Sequence, residues 1–297
     1  MSSSTSPSTG PSTGPSIDPA TGAPIAVLGA TGQQGSAVVD ALLEAGKPVR
    51  AVVRDPGAPR ARALASRGVE VVAGDQDHPD SLRDPLTGVA SLFLMTTFDD
   101  DSGTEGEVRR GVATADVAAA VGVPRVVYSS VGGAERESGV PHFESKRRVE
   151  RHLTSLLPSV VVRPTFFMDN FAEQLTDGSG ELVLRQPMPG DVPLQMIAVR
   201  DIGIVAAAAL VDHDALGADA LEIAGDELTG EEVAQRIGEH LGRPARFEQV
   251  PVDVLPDDLS AMFRWFVETP AYQADLARTR AVDPTVLDLV GWLARPR

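Results

Sequence analysis

From Pro24 onward, short aliphatic runs alternate with longer stretches in which apolar residues recur at helical spacing. Ile25-Ala26-Val27-Leu28, Val49 to Val53, Val69 to Val72, Leu92-Phe93-Leu94-Met95, Val126-Val127-Tyr128 and Val160-Val161-Val162 are nearly continuous in apolar character. That is the pattern of parallel strands covered on both faces. Between them, Ala37, Val38, Ala41, Leu42 and Ala45 mark one helix face, and Val108, Val112, Ala115, Ala118 and Ala119 mark another. Parallel neighbours require crossover helices, so residues 24–164 are predicted to form an α/β, doubly wound parallel sheet.

Beyond about residue 165 the order loosens. Pro187, Pro189 and Pro193 interrupt a segment that is not expected to supply a central strand. Leu221-Glu222-Ile223-Ala224 is read as a strand, and Thr229 with Glu232 as a capping box opening the helix of Val233, Ile237 and Leu241. A short strand near Phe247 and helical segments from Leu259 onward complete the expectation for residues 165–297, a mixed region that finishes the sheet and forms a small α/β C-terminal substrate lobe. Residues 1–23, with Pro7-Ser8-Thr9-Gly10 repeated as Pro11-Ser12-Thr13-Gly14, have almost no apolar side chains to offset the entropy of ordering and are expected to be a disordered tail.

Charge and composition narrow the function. A formal net charge of −16 opposes binding to nucleic acid, and the one dense basic cluster, Lys146, Arg147, Arg148 and Arg151, has the spacing of a solvated helix face. The chain has no cysteine, which removes disulfides and thiolate chemistry. No run approaches the ~20 apolar residues that cross a bilayer, and no export signal is visible, so a cytoplasmic location without membrane attachment is expected. His78, His142, His152, His213 and His240 show no metal-ligand spacing, and no metal is expected.

The first strand runs directly into Gly29-Ala30-Thr31-Gly32-Gln33-Gln34-Gly35, which opens the first amphipathic helix. Glycines there allow a tight turn, close approach of the backbone to a diphosphate and close packing of helix on strand, while the helix start offers unpaired N–H groups. This Rossmann-type arrangement predicts dinucleotide binding by Gly29, Thr31, Gly32, Gln33, Gln34 and Gly35. After the second strand, Arg54 matches a ribose 2′-phosphate in charge and fork geometry and favours NADP(H). The adjacent Asp55 keeps NAD(H) as the alternative. Arg60 and Arg62 are placed to assist. Asp75 and Gln76, after the third strand, are candidate contacts to the adenine base as well as turn formers. Thr96 and Thr97, after the fourth, are candidates beside the nicotinamide. Phe166, Phe167, Met168 and Phe171 fit either an apolar pocket wall or core, and Asn170 is a candidate substrate contact.

These segments, together with Val127-Tyr128-Ser129-Ser130, His142-Phe143-Glu144-Ser145-Lys146 and Arg163-Pro164-Thr165-Phe166-Phe167-Met168-Asp169-Asn170, resemble the NmrA-like family of atypical short-chain dehydrogenases/reductases, over nearly everything from residue 24. The resemblance implies a Rossmann cofactor domain with a C-terminal substrate lobe. Family members include NADP(H)-dependent reductases and proteins that only sense the cofactor. The superfamily's Tyr-x-x-x-Lys pair is represented by Lys146 alone, because His142 stands where the tyrosine would be. The resemblance therefore implies a cofactor-holding or proton-transfer role for Lys146. For His142 two readings stand, a general acid or a cap residue on a helix from Glu144 to Leu157. It also implies that Ser129 or Ser130 bonds a substrate carbonyl, the alternative being backbone satisfaction at the strand end. The expected function is hydride transfer from NADPH to a small carbonyl, quinone or conjugated acceptor. The alternative is a non-catalytic NADP(H) sensor acting on a protein partner.

Overall fold

Residues 22–178 and 180–295 are described by the computed structural model of the chain, so all but the end of the Ser/Thr/Pro/Gly tail lies outside the described residues. The apolar runs become strands at the expected places. In chain order these are β1 (Ile25–Leu28), α1 (Gln33–Glu44), β2 (Val49–Val53), α2 (Pro59–Ser66), β3 (Glu70–Ala73), the one-turn α3 (Arg83–Leu86), β4 (Ser91–Met95), α4 (Gly103–Ala120), β5 (Val126–Ser129), α5 (Pro141–Leu156) and β6 (Ser159–Pro164). The chain continues through β7 (Phe166–Phe167), α6 (Phe171–Gln174), β8 (Leu175–Asp177), β9 (Leu182–Gln186), β10 (Pro193–Ile197), α7 (Val199–Val211) and β11 (Ala220–Ile223). It finishes with β12 (Asp226–Thr229), α8 (Gly230–Leu241), β13 (Ala245–Gln249), α9 (Asp257–Glu268), α10 (Leu276–Val282) and α11 (Leu289–Leu293).

Seven strands form one sheet in the order β11-β6-β5-β4-β1-β2-β3, and every pairing in it is parallel. The order reverses between β1 and β4, which opens a crevice at their carboxyl ends. On one face Val27, Phe93 and Val127 pack with Val38 and Leu42 of α1 and Ile202 and Val205 of α7. On the other, Leu28, Leu94 and Tyr128 pack with Ala115 of α4 and Val149 and Leu153 of α5. Helices α1 and α7 meet at backbone distance, because a Cβ on Gly203 would lie 2.5 Å from the Ala37 carbonyl.

Two three-stranded sheets, β12-β10-β7 and β13-β9-β8, build the second lobe around a separate apolar cluster that includes Phe166, Met168, Phe171, Trp265 and Phe266. Contrary to the expectation, the proline-interrupted segment does supply a central strand: β10 lies between β12 and β7 and begins on Pro193, a first-residue position that tolerates the missing N–H. The Thr229–Glu232 capping box forms as the spacing predicts. Helix α5 starts at Pro141 rather than Glu144, with Val140 as N-cap, which places His142 in the first helical turn instead of at a cap.

Candidate functional site

The phosphate loop is a set of backbone contacts that only glycine permits. Gly29 has φ +68°, and a Cβ on Gly35 would sit 2.1 Å from the Gly29 oxygen. The Gly32 amide closes the turn onto that same oxygen at 2.9 Å. Gly32 is also the N-cap of α1 and brings no side chain to satisfy the first-turn N–H groups, which are the donors a diphosphate takes. Gly29, Thr31 and Gly32 line a crevice of about 450 Å³ at the β1/β4 switch point, together with Arg54, Asp75 and Gln76.

At the β2 end the residues separate by role. Asp55 accepts from the Gly57 amide at 2.8 Å and so serves its own turn, while exposed Arg54 lines the crevice, as do Asp75, Asp77, Asp99, Asp100 and Arg110. Arg60 reaches across to the Thr31 carbonyl at 3.2 Å, whereas Arg62 bonds the Gly57 carbonyl and plays no part in the crevice wall. Asp75 closes a turn by accepting from the Asp77 amide at 3.1 Å. Burial pushes its carboxyl up, but the Asp77 amide, His78 and the Arg54 charge together bring it below the usual value. Gln76 donates to the Met95 carbonyl at 3.3 Å and spans β3 and β4.

The two threonines after β4 diverge. Thr97 lines the crevice. Thr96 turns inward and is buried, donating to Glu107 at 2.9 Å and sharing a 3.1 Å hydrogen bond with the Tyr128 hydroxyl, so its side chain is not among those lining the crevice. Glu107 is fully buried, and its carboxylate also receives Lys146 Nζ at 2.6 Å and the Ser145 hydroxyl. Lys146 donates in addition to the Thr96 carbonyl at 3.1 Å. Burial, and then the Glu107 charge, hold the Tyr128 hydroxyl well above its ordinary value, so it stays protonated.

The serines also point apart. Ser129 donates to Gln34 Oε1 at 2.5 Å, fastening the phosphate loop to β5. Ser130 is buried beside the Arg163–Glu150 ion pair, and its hydroxyl has no hydrogen-bond partner among the described residues. His142 is buried, stacks on Phe98 at 4.5 Å between ring centroids, and donates from Nδ1 to Asp258 at 2.8 Å. Phe166, Met168 and Phe171 are core, while Phe167 and Asn170 stay partly exposed. Gln33 lines a second cavity, of about 430 Å³, with Asp169, Arg200 and Trp292.

Three residues escaped the sequence reading. Arg110 bonds the Thr97 carbonyl at 2.8 Å and Asp77 at 3.3 Å, and pairs with Asp100, so it pins the loop beside the crevice. Glu107, Arg110 and Thr114 form a buried polar stripe at helical spacing along α4, a signal hidden by the valine and alanine stripe of the same helix. Asp258 lies 116 residues from His142 and carries no local signal. Among the described residues, no group of three or more acidic, histidine or cysteine side chains is arranged to hold a metal, and no helix is long and apolar enough to cross a membrane.

The parallel sheet, its reversal point and the glycine loop define a Rossmann-type α/β protein, with a smaller C-terminal lobe beside the carboxyl edge of the sheet. Within that class the chain belongs to the NmrA-like family, whose model matches residues 22–292. It is 34% identical over 281 residues to the (4-alkanoyl-5-oxo-2,5-dihydrofuran-3-yl)methyl phosphate reductase of Streptomyces griseus, covering 92% of this chain and 94% of that one. It is 33% identical over 248 residues to an NAD(P)H azoreductase of Xenophilus azovorans, covering 80% and 81%. The crystal structure of Citrobacter sp. triphenylmethane reductase complexed with NADP(H) superposes with a TM-score of 0.76 at 21% identity, over 91% of this chain and 98% of that one.

Proposed function

We propose that this chain is an oxidoreductase that holds NADP(H) along the β1/β4 crevice and reduces a small carbonyl, quinone or conjugated acceptor. The observation that carries the reading is the Gly29–Gly35 backbone contact beneath an uncapped helix start, with Arg54 lining the same crevice. The residues present fit the cofactor: the close backbone packing at Gly35 seats the uncapped start of α1 at the crevice, and the engagement of Asp55 in its own turn favours the form carrying the 2′-phosphate. Sequence relatives that are themselves a reductase and an azoreductase support the same class of reaction.

When bound, the reduced nicotinamide supplies a hydride, and the chain's own groups bind, orient and deliver the proton. Lys146 has three donors, of which Glu107 and the Thr96 carbonyl take two, so one is left for the nicotinamide ribose. Ser129 is tied to Gln34, whereas the buried Ser130 hydroxyl has no hydrogen-bond partner among the described residues and is left free to donate to an acceptor carbonyl, with His142 as the proton donor. Purified protein mixed with NADPH and either menadione or methyl red should consume the reduced nicotinamide absorbance, and Lys146→Ala should abolish most of that turnover. NADPH binding without turnover of any carbonyl, quinone or azo compound would overturn the enzyme in favour of a cofactor sensor.

A further inference from the structure

We infer that Asp258, the second residue of α9 in the C-terminal lobe, is a positioning residue that fixes the His142 ring with its proton on Nδ1 and presents Nε2 as the proton-delivering atom. The inference rests on the reductase reading and extends it to a group from the other lobe. One Asp258 oxygen, Oδ1, accepts from the His142 amide at 3.1 Å and from ring Nδ1 at 2.8 Å, so backbone and ring are gripped by the same atom. Satisfying the first turn of α5 accounts for the amide bond. It does not account for the ring bond, which selects the tautomer and the rotamer. Phe98, two residues beyond Thr96, stacks on the ring with 14° between planes, and Phe143 meets it edge-on, so rotation about the ring bond is blocked from both sides. His142 precedes Lys146 by one helical turn, which puts both on the face of α5 that meets the chain leaving β4.

The other oxygen of Asp258 is buried and has no hydrogen-bond partner among the described residues. An ionised carboxylate with one desolvated oxygen is costly unless a positive charge stands close. Burial pushes the Asp258 carboxyl up, yet the hydrogen bond and charge of His142 bring it below its ordinary value, so it is an anion beside the ring. In the imidazolium state Nε2–H is the ring proton that Asp258 does not hold. As the acceptor takes up the hydride, its oxygen or nitrogen takes the Nε2 proton. The ring is left neutral with Nδ1–H still on Asp258, and water restores the lost proton.

The test uses the full chain and the variants Asp258→Ala, Asp258→Asn, His142→Phe and Asp258→Ala/His142→Phe. Long-range proton–nitrogen spectra of the neutral ring should place the proton on Nδ1 in the wild type and give mixed tautomers in Asp258→Ala. With menadione and methyl red, Asp258→Ala should lower kcat by about 100-fold, the low end of what a positioned general acid contributes. KM and NADPH affinity should hold, and a solvent deuterium isotope effect should grow. Asp258→Asn, which keeps an acceptor oxygen without the charge, should fall between the two and guards against misfolding of the alanine variant. In the His142→Phe background the Asp258 substitution should cost no further kcat. An Nε2–H tautomer in the wild type, or an equal loss of kcat with and without His142, overturns the inference while leaving the reductase intact. A wild type that turns over neither compound removes the reductase reading, and proton delivery by His142 with it.

Discussion

Replacing Gly35 by alanine tests the cradle directly. The added Cβ would lie 2.1 Å from the Gly29 oxygen, 2.4 Å from its carbonyl carbon and 2.8 Å from the Ala30 nitrogen, all backbone atoms. Ordinary contact begins near ~3.5 Å, so the first turn of α1 has to move away from β1 by roughly 1 Å. Overpacking of this kind costs about 1–3 kcal/mol, and the better helix propensity of alanine returns at most about 1. A net loss near 1–2 kcal/mol corresponds to a Tm lower by roughly 2–8 °C for a chain this large. The same displacement takes the α1 amides off the diphosphate. Losing one hydrogen bond to a charged group costs about 1.5–3 kcal/mol, which is roughly 10- to 150-fold in Kd. Gly32→Ala provides the contrast, because its Cβ would be 3.3 Å from the Gly29 oxygen. It should melt close to the wild type and lose affinity only. The assays are thermal denaturation without ligand and calorimetric titration with NADPH. A Gly35→Ala protein that melts with the wild type and binds NADPH as tightly would refute both the close packing and the placement of the diphosphate.

Arg54→Ala should weaken NADPH by about 10-fold, a charge-assisted contact discounted for its exposure, and leave NADH nearly unchanged; equal losses for the two nucleotides in paired titrations would contradict the 2′-phosphate assignment. Asp201 offers a pH test, since burial raises its carboxyl to about 6 against the opposing Leu287 amide and Arg200 hydrogen bonds. The folded state then binds the proton more tightly than the unfolded chain, so this stabilising contribution is complete below about pH 4 and is lost as pH rises through about 6, to a total of about 3 kcal/mol. Asp201→Asn should flatten the fall of Tm with pH across that window, and an unchanged slope would count against the buried carboxyl. Gly203→Leu should destabilise by more than Gly203→Ala, because each added atom widens the α1–α7 contact; melts that do not rank in that order would contradict it.

The large sheet was legible because its central strands are buried on both faces and so write unbroken apolar runs between helical stripes. Strand β9 was not, since Leu182-Val183-Leu184 is too short to distinguish from a turn of buried helix. At the site, the turn at the glycine loop and the place of Arg54 on the crevice could be read because they depend on local backbone and first position after a strand. The choices between Thr96 and Thr97, and between Ser129 and Ser130, could not. Neighbouring side chains leave a strand on opposite faces, and only the tertiary surroundings say which face is crevice and which is core. Glu107, Arg110 and Asp258 became visible only when α4, the β4 loop and α9 were brought together.

The path of the chain between the sheets constrains how this protein can be altered. After the small sheet begins at β7, the polypeptide returns to lay α7 against α1 and β11 along β6, then departs again into β12. A cut after Pro164 therefore strips a neighbour from β6 and bares the apolar side of α1, so the two halves cannot be exchanged with those of a relative as modules. Grafting a new acceptor preference has to proceed by loop replacement around the crevice. Any hinge between the lobes has to be shared among these several crossings rather than fall on a single linker.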